Sequence, residues 1–244
     1  MNGQTDKRNR ESIPRPSGAA WFLTLLFRRY CDFFRASSIL LLGTLPGILL
    51  TVWGFWSRSL LVTLSGGLLG GLAGGPLLCG LYGTILRALR GEPGFWSLFY
   101  KRALKQNWLE ALLPGAALGL ILALWLSEAV ILRSQGPISP AALLAMAEVL
   151  FFVLGLAAYV FPQIVMARVS ARNLYSNSIR LFIGLLPRSA VSAAVQTVYW
   201  GGFLLCLPRS VPVLMVTGFW LPCLLSLLVL WKPLERHLHL EDAA

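Results

Sequence analysis

Glu148 and Glu128 are the residues through which this chain could do chemistry. Asp and Glu number only 10 in 244 residues, and Glu148 is the one charge set within a long apolar stretch. An ionisable group inside hydrocarbon is costly and marks a functional position by default. Glu148 could hold a proton, or pair with a polar group on another helix. Glu128 lies near the end of the preceding apolar stretch, within reach of the same zone. Two carboxylates facing one cavity would suit a cation or a proton. The plainer alternative is a snorkelling Glu128 beside a neutral, buried Glu148. Ser192, Gln196 and Thr197 could line the same interior, or simply tie helices together.

Other chemistry is sparse. Cys31, Cys79, Cys206 and Cys223 have neither metal nor disulfide spacing and read as small apolar fillers. His237 and His239 are two residues apart, so they do not share a helix face. A metal site needs more ligands than these. No Gly-x-Ser-x-Gly, His-Glu-x-x-His or Gly-x-x-x-x-Gly-Lys is present. The expectation is a protein that is not an enzyme and has no metal or cofactor.

The elements that must position these groups follow from composition. The chain is 57% hydrophobic and 13% charged, with 21 Lys and Arg and a net charge of +11. Its mean hydropathy is +0.70. Soluble domains carry about 25% charged residues, and disordered basic chains are poor in apolar ones. The basic residues separate apolar runs instead of clustering, so a nucleic-acid partner is not expected. The class is an all-α, polytopic membrane protein, whose first partner is the lipid bilayer.

A helix needs about 20 apolar residues to cross hydrocarbon. Charge-free stretches predict six: 37–57, 60–86, 110–132, 141–165, 189–207 and 211–231. They divide the chain into an interfacial or cytoplasmic N-terminal segment (1–36), a six-helix membrane domain (37–232) and a cytoplasmic tail (233–244). Ser57-Arg58-Ser59 reads as a hairpin, with one long bent helix as the alternative. Leu207-Pro208-Arg209-Ser210-Val211-Pro212 reads as a second hairpin, because two prolines oppose a continuous helix.

Cytoplasmic loops are enriched in Lys and Arg. Arg58, Arg133 and Arg209 fall in the three connections on one side, and the other 18 of 21 basic residues on the opposite side. Both termini are therefore expected in the cytoplasm, and the protein in the plasma (cytoplasmic) membrane. No cleavable signal peptide is expected, since Ala19–Phe27 is short and runs into Arg28-Arg29. Residues 19–36 read either as an interfacial helix or as an extension of the first span.

Gly66, Gly70 and Gly74 form one small-residue ladder in the second span, and Gly67, Gly71 and Gly75 another. Residues four apart share a helix face, so a partner backbone can come close. The ladders predict packing inside the bundle or self-association; a hinge or a path lining is the functional alternative. Pro46, Pro76, Pro114, Pro162 and Pro222 are expected to bend their helices. Trp21, Trp53, Trp56, Trp96, Trp108, Trp125 and Trp231 fit an aromatic belt.

Residues 74–113 read GGPLLCGLYGTILRALRGEPGFWSLFYKRALKQNWLEALL, and 156–187 read LAAYVFPQIVMARVSARNLYSNSIRLFIGLLP. These blocks resemble the two signature regions of the YesL-like family of bacterial integral membrane proteins, a domain of unknown function. The first is similar through Gly75-Pro76, Arg90-Gly91-Glu92, Phe99, Lys105 and Asn107. The second is similar through Tyr159, Phe161, Pro162 and Arg168, with Pro187 opening the next span. An Asn-containing apolar motif of the family has no counterpart at Ser37–Leu42. The resemblance implies an accessory or permease-like component of carbohydrate uptake, associated with membrane transport proteins or with a second copy. It carries over no catalytic or ligand residue. The alternative is a non-transporting scaffold or assembly factor whose glycine face and basic connections bind other membrane proteins.

Overall fold

The computed structural model describes residues 19–92, 94–166, 171–206 and 209–241, and among these the regular structure is helical throughout. In chain order the helices are α1 (Ala19–Trp56), α2 (Leu60–Arg90), α3 (Trp96–Gln135), α4 (Pro140–Met166), α5 (Ala171–Gly184), α6 (Leu186–Leu205), α7 (Val211–Thr217) and α8 (Trp220–Glu241). Lys7, Arg8, Arg10, Arg15, Leu207 and Pro208 lie outside the described residues, as do the side chains of Trp21, Arg172, Arg236, His237 and His239. The chain divides into two compact units, residues 1–31 and 32–244. The described part of the first is the opening of α1, with Phe27 and Leu23 exposed. The rest of the fold concerns the second.

Four helices are long and apolar enough to cross a membrane: α1 from Phe22, α2, α3 and α4. Helices α5 and α6 reach that standard only together, as a pair bent by 103°. The apolar part of α8, Trp220–Leu234, is shorter than a full span. By length and composition the described residues thus hold four helices able to cross a membrane, or five such elements if the bent pair counts as one. It is an all-helical membrane protein.

Three boundaries differ from the sequence-based expectation. Helix α3 begins at Trp96, not near 110, and its 40 residues make it about 60 Å long, twice the hydrocarbon thickness. The loss of apolar character at 96–109 does not end the helix. The connection before the fifth stretch holds a helix of its own, α5. The stretch 211–231 is two helices, broken at Gly218-Phe219. Gly218 has φ 53°, ψ −161°, a backbone that side-chain-bearing residues rarely adopt. Its missing Cβ also leaves room for the Ser37 side chain, which a Cβ would strike.

The hairpin between α1 and α2 forms as expected. Arg58 takes the left-handed conformation, and Ser59 Oγ caps α2 by accepting from the Val62 N–H at 3.5 Å. From there α1 and α2 run antiparallel in close contact. A Cβ on Gly66 would lie 2.8 Å from the Gly47 carbonyl oxygen, and one on Gly74 would lie 3.1 Å from the Thr44 methyl. The second ladder faces the other way. Gly67 meets Ala123 and Gly119, Gly71 meets Gly115 and Gly119, and Gly75 meets Ala111 and Gly115. Helix α3 thus answers with its own ladder, Ala111, Gly115, Gly119 and Ala123. Both glycine ladders are used within the chain, so α2 is the central plate between α1 and α3.

Two of the belt tryptophans are placed otherwise. Trp53, Trp56 and Trp108 are exposed, but Trp125 and Trp231 are buried. Trp125 has a polar reason to be inside: its Nε1–H donates to the Met146 carbonyl at 2.9 Å, joining α3 to α4. Pro222 stands in the first turn of α8, where a missing N–H breaks no helical bond.

Candidate functional site: a buried polar seam and an outward carboxylate

Helix α6 carries Ser189, Ser192, Gln196 and Tyr199 at spacings of three, four and three, so all lie on one face. Ser189, Ser192 and Gln196 are buried. Each of the four finds a partner on a facing element. Ser189 donates to the Leu185 carbonyl at 3.0 Å, so the Tyr159 hydroxyl of α4, 2.6 Å away, donates to Ser189. Ser192 bonds Ser226 of α8. Gln196 donates to the Pro222 carbonyl at 3.3 Å and accepts from the Trp200 indole at 3.2 Å.

Tyr199 closes the seam at the helix break. Its hydroxyl donates to the Gly218 carbonyl at 2.8 Å and touches Thr217 Oγ1 at 2.7 Å. Across the break, Ser37 Oγ of α1 accepts from the Phe219 N–H at 2.8 Å, and Phe33 stacks on Trp220. Non-helical backbone at membrane depth is tolerated only where the protein satisfies it. Tyr199 and Ser37 do so here.

On α4 the run Tyr159–Gln163 is wholly buried and touches three neighbours. Tyr159 reaches α6. Phe161 stacks on Tyr82 of α2, with ring centroids 6.4 Å apart and planes within 6°. Gln163 donates to Ser178 of α5 at 3.0 Å, while its Oε1 has no partner among the described residues. The seam consists of hydroxyls and amides. Ser192 and Gln196 act in it as ties between helices. In lipid such bonds contribute about 0.6 kcal/mol each on average, so their effect is register more than gross stability.

The first resemblance block organises the other end of α2. Gly91, with φ 70°, caps the helix: its N–H and that of Glu92 bond the Ala88 and Arg87 carbonyls, both at 3.2 Å. The Arg90–Glu92 ion pair, 4.0 Å long and partly exposed, adds little. Arg87 matters more, and the sequence marks it only as one positive charge among many. It is 4% exposed, donates from Nε to the Glu92 carbonyl at 3.2 Å and lies 4.2 Å over the Phe99 ring. Gly80 and Gly83 admit Tyr100 and Ala103 of α3, and Val165 of α4 also reaches Gly83. The two blocks therefore meet around α2. Gly75 and Pro76 belong to the ladder region; Arg168 lies outside the described residues.

Glu148 and Glu128 are both exposed on the outside of their helices. Neither faces an interior cavity, and neither has a hydrogen bond or ion pair among the described residues. The buried positions nearest Glu148 on α4 are Met146 and Leu150, which pack with Trp125. The Trp125–Met146 bond relates the two acids. Along antiparallel α3 and α4, Glu128 lies about 5 Å from that bond toward the α3–α4 connection and Glu148 about 3 Å from it the other way, roughly 8 Å apart along the helix axes. Among the described residues no group of three or more His, Cys, Asp or Glu could hold a metal.

No protein family, curated protein or solved structure matches the chain.

Proposed function

We propose that this protein is a non-carrying accessory component of a solute-uptake system in the cytoplasmic membrane, one that binds other membrane proteins. Six crossings with both termini in the cytoplasm fit this reading, with α5 lying at the cytoplasmic face and the broken α7–α8 element as the last crossing. The 18 to 3 division of basic residues supports that orientation. Carbohydrate as the solute class, and the YesL-like family as the relatives, rest on the sequence blocks at 74–113 and 156–187.

The observation that carries the accessory role is the direction of the polar groups. The inward groups of Ser189, Ser192, Gln196 and Tyr199 on α6 are engaged with α4, α8 and the helix break, and the buried Thr197 hydroxyl has no partner among the described residues. The one carboxylate well inside an apolar span points away from them, toward the surroundings of the bundle. A carrier needs its ionisable group on the substrate path; a component that works through neighbours needs it on the outside.

Two measurements test this together. A strain lacking the gene should take up at least one radiolabelled sugar more slowly, while proteoliposomes holding the protein alone should accumulate none. Normal uptake of every sugar by the deletion strain refutes the link to uptake. Accumulation by the protein alone refutes the accessory role and makes it a carrier.

A further inference from the structure

Glu148 sits on a stripe of α4 with Leu144 one turn before it and Phe152 one turn after, and these are 72% and 49% exposed. It is the ninth residue of α4, so it lies about 12 Å from the helix start. Helix α4 has 27 residues, about 40 Å, against a hydrocarbon core near 30 Å. Centring the helix puts Glu148 roughly 7 Å inside the apolar layer. A carboxylate there needs a cation or a donor, and no described residue of this chain supplies one. Glu128, about 8 Å nearer the outer boundary by the Trp125–Met146 register, reaches headgroups and water.

We propose that the Leu144–Glu148–Phe152 face of α4 docks a transmembrane helix of another protein, one with a basic residue (Arg or Lys) about one-quarter of the way in from the outer side. Charge complementarity selects this occupant. The carboxylate receives the cation, and the flanking apolar side chains pack on the partner's apolar surface. The proposal rests on the accessory reading, since it names the surface through which a partner would be held.

The probe is a designed single-span helix of leucines with one Arg at the matching depth, co-reconstituted with the full-length protein in lipid vesicles. Association is read by energy transfer between labels on the two chains. The Arg helix should associate about tenfold more strongly than its all-Leu counterpart, the size of one interhelical bond of 1–2 kcal/mol. Glu148→Gln should remove most of that difference and Glu128→Gln none of it. Glu148→Lys should transfer the preference to a helix with Asp in place of Arg.

Equal association of the Arg and Leu helices overturns the proposal. So does an Arg preference that survives Glu148→Gln, which would assign the effect to another group or to lipid headgroups. Self-association of the protein through this face, lost on Glu148→Gln in the absence of any probe, also overturns it in favour of a second copy. Unchanged melting of the purified variants shows that folding is intact, as expected for an exposed position. The assay involves no sugar, so failure here leaves the uptake experiment standing, and failure of uptake leaves this surface standing.

Discussion

Alanine at Gly71 and alanine at Gly70 should have opposite effects, although the residues are adjacent on α2. A Cβ at Gly71 would strike the Gly115 carbonyl oxygen and lie 3.0 Å from both the Gly115 carbonyl carbon and the Gly119 Cα. All three atoms are backbone, so no side chain can swing aside. Restoring normal carbon contacts near 3.5–4.0 Å requires α2 and α3 to part by about 0.5–1 Å, which forfeits a quarter to a half of each affected dispersion contact. Insertion into a closed interface costs about 1–3 kcal/mol, and immovable backbone on the far side places this case near 3. Alanine's better helix propensity returns about 1 kcal/mol. The net loss is about 2 kcal/mol, which lowers the melting temperature by roughly 4–8 °C for a chain of this size. A Cβ at Gly70 meets nothing nearer than the Gly47 Cα at 3.6 Å, an ordinary contact. Gly70→Ala therefore keeps the propensity gain and should melt about 2–4 °C higher than the native chain. The assay is thermal unfolding in detergent followed by a thiol-reactive dye. Cys79 and Cys223 are buried and report unfolding, while exposed Cys31 and Cys206 are replaced by serine beforehand. Equal melting of the two alanine variants, or a less stable Gly70→Ala, would refute the assignment of separate partners to the two ladders.

Three further outcomes are expected. Arg87→Lys keeps the charge but loses the planar stack on Phe99 and the Nε bond to the Glu92 carbonyl, so it should cost about 1–3 kcal/mol and speed protease cutting near Gly91. Trp125→Phe removes the bond to the Met146 carbonyl and should cost about 1 kcal/mol, seen as a melting point lower by about 2–4 °C. In a cysteine-free background, a thiol at Arg58→Cys should label in intact cells and one at Lys101→Cys only after permeabilisation; the reverse pattern would invert the proposed orientation.

Much of the architecture was legible because lipid imposes simple rules. The hairpin at Ser57-Arg58-Ser59 follows from two apolar runs meeting at one charge. The doubled glycines announce close packing, and the answering ladder at Ala111, Gly115, Gly119 and Ala123 was present at the same four-residue spacing. The helix break at Gly218 was harder to see. A glycine in an apolar run is common in membrane helices, and only Tyr199 and Ser37, 19 and 182 residues away from their partners, make the break affordable. Helix α5 was hidden by its polarity: Leu174, Ser178 and Phe182 recur every fourth residue and are buried, but a hydropathy criterion passes over so polar a segment. The direction of Glu148 was illegible in principle. Met146, Leu150 and Leu154 pack inward while Leu144, Val149 and Phe152 face out, and all six are apolar. In water the polar side of a helix identifies its outer face; in lipid both faces look alike.

That ambiguity also explains why the bundle needs two ways of holding itself together. Lipid tails are as apolar as leucine, so burying leucine against leucine gives α1–α3 no preference over lipid. Helices α1, α2 and α3 gain a preference by removing side chains, since glycine faces let backbones approach more closely than lipid can. Helices α4, α6 and α8 gain it by hydroxyl and amide bonds that lipid cannot offer. Both devices point inward and find their partners within the chain: the ladders at Gly47 and Gly115, the seam at Tyr159, Ser226 and the Pro222 carbonyl. A polar group facing outward serves neither. Glu148 therefore adds nothing to the fold that a leucine would not, and it brings a desolvation cost that leucine would avoid. The proposed basic partner outside the chain would offset that cost by pairing with the carboxylate.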